Sequence, residues 1–127
     1  MDKPRFLIDS NIAIYVLRDS ASRPAVRIGE LLPGTVVTSA IVYAEILLGI
    51  PPEEKDARIS VERLFERVPV LPFDAGAAQA YARIPFKRAR FDRLIAAHAL
   101  SLGLTLVTNN ENDFRDIPDL AVENWTQ

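Results

Sequence analysis

Four carboxylates in this chain stand where solubility alone does not explain them. Asp9 interrupts the apolar stretch FLIDSNIAIY, pressed between Phe6-Leu7-Ile8 and Ile12-Ala13-Ile14-Tyr15. Glu45 is the only charge in VTSAIVYAEILLGI, where helical spacing puts it on a face with Ile41, Val42 and Leu48. Asp92 stands at the start of FDRLIAAHALSLGL, and Asp113 lies in the polar NNENDF that follows LTLVT. Carboxylates brought to one place raise one another's pKa, and a bound divalent cation reverses that penalty. An all-oxygen site suits Mg²⁺ or Mn²⁺, whereas zinc recruits His or Cys. Cysteine is absent, and the one histidine, His98, falls on an apolar helical stripe where a core role is expected. Carboxylate-held metal ions lower the pKa of bound water and neutralise an adjacent phosphate. The substrate class is then nucleic acid or another phosphoester.

Each acid also has a plain structural reading. Asp9, Ser10 and Asn11 are all good helix caps. Asp92 suits the positive end of a helix, and Asp113 an ordinary turn. Glu45 is the hardest to dismiss, because a partly buried carboxylate needs a cation, a metal or a proton.

The elements that position these acids follow from periodicity. RFLID reads as a short buried strand and SNIAIYVLRD as a helix, with Ile12, Tyr15 and Val16 at i, i+3, i+4. A second helix opens at Ser22 or Arg23 and ends at Pro33-Gly34. TVVTS is a β-branched strand, and SAIVYAEILLGI a helix closed by Gly49. After Pro52, EEKDARISVERLFERV reads as a charged helix with Ile59, Leu64 and Val68 inward. VPVLPF is a short strand, and DAGAAQAYARI a helix capped by Asp74. FDRLIAAHALSLGL is a helix with Phe91, Leu94, Ile95, His98 and Leu102 on one stripe and Gly103 as its stop. LTLVT and LAVEN are strands either side of the polar NNENDF. Strands alternating with helices imply an α/β fold with a mostly parallel sheet covered on both faces. Ligands of such sheets collect outside the carboxyl ends of the strands, where Asp9, Ser39, Thr108, Asn109, Asn110 and Asp113 all fall.

At 127 residues, 49% hydrophobic and 25% charged, the chain has the size and composition of one globular domain, 1–127. No apolar run approaches the ~20 residues of a membrane span, and MDKPRF does not open like a signal peptide. A cytoplasmic protein with no membrane role is expected. The net charge of −2 argues against indiscriminate coating of nucleic acid. A local excess stands out between residues 83 and 93, where Arg83, Lys87, Arg88, Arg90 and Arg93 surround Asp92. Lys87, Arg88, Arg90 and Arg93 are candidates for RNA phosphate contacts, which position a backbone without reading sequence. Pairing of Arg90 or Arg93 with an acid inside the site is the competing reading. Phe86 and Phe91 are candidates for base stacking, with core packing favoured for Phe91.

The stretches FLIDSNIAIYVL, VTSAIVYAEILLGI, FDRLIAAHALSLGLTLVTNNENDF and LAVENW occur in an order that resembles the PIN-domain ribonucleases, and among them the VapC-type toxins of bacterial type II toxin–antitoxin pairs. The resemblance runs from the first strand to the last. It implies a PIN-like three-layer α/β/α sandwich and an endoribonuclease that uses Mg²⁺ or Mn²⁺. It maps the catalytic, metal-binding acids onto Asp9, Glu45, Asp92 and Asp113, with Asn11, Ser39, Thr108 and Asn110 as polar support. It further implies a homodimer, silencing by a VapB-type antitoxin in a heterotetramer or larger complex, and operator DNA bound only through the antitoxin. Two features depart from the family pattern. DSN replaces DTN, which keeps the hydroxyl, and IPFKRARFD replaces a glycine-containing connection before Asp92.

Three other readings compete. A haloacid-dehalogenase-type phosphatase needs a second acid two residues after Asp9, where Asn11 stands. A receiver domain needs an acidic pair after the first strand and a phosphoacceptor aspartate near mid-chain, and neither stands out. A PIN-fold subunit that serves a DNA-binding partner without cutting RNA is the strongest rival, since folds outlive activities.

Overall fold

A computed structural model describes residues 3–88 and 90–127. Five short strands form one sheet in the order β3-β2-β1-β4-β5, every neighbouring pair parallel. The strands are β1 (Phe6–Ile8), β2 (Val36–Ser39), β3 (Val70–Leu71), β4 (Thr105–Val107) and β5 (Val122–Glu123). The helices are α1 (Ser10–Arg18), α2 (Arg23–Glu30), α3 (Ala40–Leu48), α4 (Lys55–Arg67), α5 (Ala75–Arg83) and α6 (Phe91–Ser101), with a 3₁₀ turn at Glu111–Phe114.

The central strands are apolar on both faces because both are covered. All of β1 and β2 is buried, as are Leu106 and Val107 of β4. α1 packs on α2, α3 and α4, while α5 packs on α6, which also touches α3. That division is what right-handed crossovers give when the chain runs outward through β2 and β3 and then returns to β4. The result is the expected three-layer sandwich.

Strand order reverses between β1 and β4. Ile8 pairs in register with Val107 on one side and Thr38 on the other. Past these residues the strands end together, leaving a crevice at the switch point. Helix α6 starts beside it, with Asp92 in its first turn, and runs to the opposite end of the sheet, where it stops in a Schellman turn. Gly103, at φ +67°, donates to Leu100 O at 3.2 Å, and the Leu104 N–H donates to Ala99 O at 2.9 Å.

Some inward positions differ from the periodic reading. Helix α4 begins at Lys55 and buries Val61 and Leu64, while Ile59 is 46% exposed. Two residues before Val61, it is turned off the face that Val61, Leu64 and Val68 share. Phe91 is 64% exposed and not in the core. It sits on the first turn of α6, beyond the layer that buries Ile95 and His98, and with Ile41, Ala44, Glu45 and Leu48 lines a surface hollow of about 200 Å³.

Candidate active site

β1 delivers Asp9 into the crevice. The Asp9 N–H donates to Val107 O at 3.0 Å, and Oδ1 accepts from the Ile12 N–H at 3.0 Å. The cap of α1 is therefore Asp9 itself, with Ser10 as the first helical residue. Capping takes one carboxylate oxygen, and the group keeps lone pairs for a ligand. Asp9 is 6% exposed. Burial pushes its carboxyl above the usual 3.8, the charges of Asp92 and Glu45 push the same way, and hydrogen bonds from the Thr108 hydroxyl and the Ile12 N–H partly offset them. The three acids thus lie close enough to feel one another.

Glu45 is half-buried on α3, and its Oε1 accepts from the Ser10 hydroxyl at 2.8 Å. This contact across 35 residues is the role that Ser10 plays in the DSN triplet, for which its hydroxyl is required. A polar residue directly after a strand-end acid was the one signal available.

Asp92 and Asp113 approach from the other side, and Arg90 joins them. Its Nε and Nη2 donate to the two oxygens of Asp92 at 3.2 and 2.8 Å, and Nη2 also donates to Asp113 Oδ2. Asp92 first, then Asp113, raise the basicity of this guanidinium further. Asn110 Nδ2 donates to Asp113 Oδ2 at 2.6 Å, while the Asn110 N–H donates to Thr108 Oγ1 at 3.2 Å. Thr108 thus bonds to Asp9, and Asn110 to Asp113.

The remaining polar candidates sit at greater remove. Asn11 is exposed and donates to Asn109 Oδ1 at 3.4 Å, across the mouth of the crevice. Ser39 caps α3 by accepting from the Ile41 N–H at 3.1 Å, and its Oγ lies 2.8 Å from His98 Nδ1. Its hydroxyl thus meets a buried histidine, not an acid. Lys87 and Arg88 are exposed. Arg93 is not available to RNA: it is fully buried, donating to Pro85 O at 3.1 Å and to Asp113 O and Asp116 Oδ1 at 2.8 Å.

The donor set is oxygen throughout, with Asp9 short of compensating charge, and it fits a hard divalent cation. Asp9, Glu45, Asp92 and Asp113 would hold it. Among the described residues no three carboxylates stand at coordinating distance. Arg90 bridges two of the four.

The chain belongs to the PIN domain family, whose model matches residues 6–120. Within that family it is of the VapC type, as its relatives indicate. It is 35% identical to ribonuclease VapC1 of Haemophilus influenzae strain R2866, covering 96% of this chain and 98% of that protein. It is 30% identical to the tRNA(fMet)-specific endonuclease VapC of Shigella flexneri, again over 96% and 98%. The DNA-bound VapBC structure from Salmonella typhimurium contains a chain that superposes with TM-score 0.84 at 28% identity, covering 96% of this chain and 98% of that one.

Proposed function

We propose that this protein is a Mg²⁺- or Mn²⁺-dependent endoribonuclease toxin that cleaves RNA phosphodiester bonds and is silenced by a VapB-type antitoxin. The observation that carries the reading is the gathering of Asp9, Glu45, Asp92 and Asp113 at the switch point of a parallel sheet. A bound ion supplies an activated water and counter-charge for the scissile phosphate. The protein's own groups set the stage for that ion. Ser10 orients Glu45, the Ile12 N–H fixes one oxygen of Asp9, and Asn110 holds Asp113. Lys87 and Arg88, exposed on the connection that leads into α6, draw in the RNA backbone without reading its bases.

The partner reading rests on likeness. The Salmonella structure is a VapBC complex on DNA, so an antitoxin with a DNA-binding half, a toxin homodimer and a larger complex on operator DNA are the assembly expected here. No helix among the described residues is long and apolar enough to cross a membrane.

Initiator tRNA is the first substrate to test, because the Shigella relative is named for it. With Mg²⁺ or Mn²⁺, wild type should cleave it, and Asp9→Asn and Glu45→Gln should each lower the rate on the order of 100-fold or more. Asparagine still caps α1, so the Asp9→Asn loss should come without a large drop in melting temperature. Cleavage untouched by both substitutions would remove the proposed site. A pure protein that cuts no RNA yet joins its antitoxin on operator DNA would favour the non-catalytic subunit.

A further inference from the structure

Arg90 stands in the cation's place. Its guanidinium forks onto both oxygens of Asp92 and reaches Asp113, so two of the four proposed metal ligands are already satisfied by one internal cation. A divalent ion and this guanidinium compete for these two carboxylates, because the guanidinium already draws on their lone pairs and the two cations repel each other.

We propose that Arg90 is a built-in competitor for the metal, holding Asp92 and Asp113 until an RNA phosphate takes over its hydrogen bonds. The inference rests on the metal-nuclease reading above and adds to it a coupling between substrate and metal. Three features of the chain support it. Arg90 is at the cap position of α6 with extended backbone (φ −118°, ψ 92°) and makes no capping bond, so its departure costs the helix nothing. Its side chain is 36% exposed, so it can turn outward without crossing the core. The exposed Lys87 and Arg88 stand three and two residues before it on the same connection, as further positive charges for the same RNA backbone. The fork that fits a carboxylate fits a phosphate equally well. Metal-free protein is then held with its acids quiet, and RNA both releases the site and gains a ligand.

Two equilibrium measurements test this without turnover. Mn²⁺ binding to RNA-free protein, followed by calorimetry, should be at least about tenfold tighter in Arg90→Met than in wild type. Binding of initiator tRNA in EDTA should be weaker in Arg90→Met, with the slope of log K against log salt reduced by about 0.7–0.9, the share of one phosphate contact. A merely structural role for Arg90 moves both affinities downward. Mn²⁺ affinity unchanged or reduced in Arg90→Met overturns the proposal. Asp92→Asn separates this from failure of the parent reading. If it binds Mn²⁺ as well as wild type, the metal site itself is wrong and the coupling falls with it. If it loses Mn²⁺ while Arg90→Met matches wild type, only the competitor role is wrong.

Discussion

Arg90 and Arg93 are the same side chain three residues apart, and both reach Asp113, yet they hold it in different ways. Arg93 donates to the Asp113 carbonyl, and also to Pro85 O and Asp116 Oδ1, from a fully buried position. Arg90 donates to the Asp113 and Asp92 carboxylates from a third-exposed one. Backbone carbonyls have no competing ligand, so Arg93 is a permanent tie between the segment before α6 and the loop that carries Asp113. Carboxylates can be claimed by a metal, so the hold of Arg90 is exchangeable. One arginine places the acid, and the other occupies it.

Removing each in turn gives the largest expected contrast. Arg93→Met strands two carbonyls and a carboxylate around a buried site, and should cost roughly 3 kcal/mol, lowering the melting temperature by about 10 °C. Arg90→Met should move it by no more than about 2 °C, since its partners remain solvated. Thermal melts in EDTA read both. Equal losses would mean that Arg90 is structural too, and the distinction between placing and occupying would be gone.

Spacing alone could not separate them. Residues three apart share a helical face, and both arginines were accordingly offered to RNA on the basis of sequence. Helix α6 starts at Phe91, which leaves Arg90 off the helix and turns Arg93 inward on its first turn. Such a boundary is decided by tertiary packing, not by local pattern. Much else was legible. The parallel order followed from alternating strands and helices, Gly103 closed α6 where a glycine stop was expected, and Asp9 stood directly after β1. Phe91 and Ile59 were misplaced because apolar character says nothing about where a layer ends. The Ser10–Glu45 hydrogen bond was hidden by a separation of 35 residues.

His98 extends the contrast along the same helix, with a smaller effect. It is as buried as Arg93, but its Nδ1 meets the neutral Ser39 hydroxyl at 2.8 Å. Ser39 Oγ also accepts from the Ile41 N–H. Burial pushes the His98 pKa below 6.5, against a weaker pull upward from Asp74. A lowered folded value means that the stability from neutral His98 is complete above about 6.5 and is lost as pH falls towards the folded value. With a single histidine in the chain, melts between pH 7 and 5.5 should show this loss, and His98→Gln should flatten it. Asp9 works in the opposite sense: its raised value makes its ionisation a cost that falls away on acidification. The cleaner comparison is therefore made on an Asp9→Asn background. A slope unchanged by His98→Gln would show that this position titrates like an exposed histidine.

The smallest effect isolates what makes Arg93 permanent. Its hydrogen bond above all holds the Asp116 carboxyl below the usual 3.8; desolvation opposes this, and the Arg93 charge adds a weaker pull downward. Stability from that pair is present above about 3.8 and lost as pH falls through the lowered value. Asp116 is 40% exposed, however, and an ion pair so open to water is worth little. Asp116→Asn should lower the neutral-pH melting temperature by no more than about 3 °C, and the difference from wild type should shrink at pH 3. The carbonyls of Pro85 and Asp113 would still hold the guanidinium, so the loop carrying Asp113 should keep its place and Mn²⁺ affinity should be unchanged. A loss as large as that of Arg93→Met would shift the tie from backbone to ion pair. Both arginines would then grip carboxylates, and only burial would distinguish the one that places Asp113 from the one that yields it.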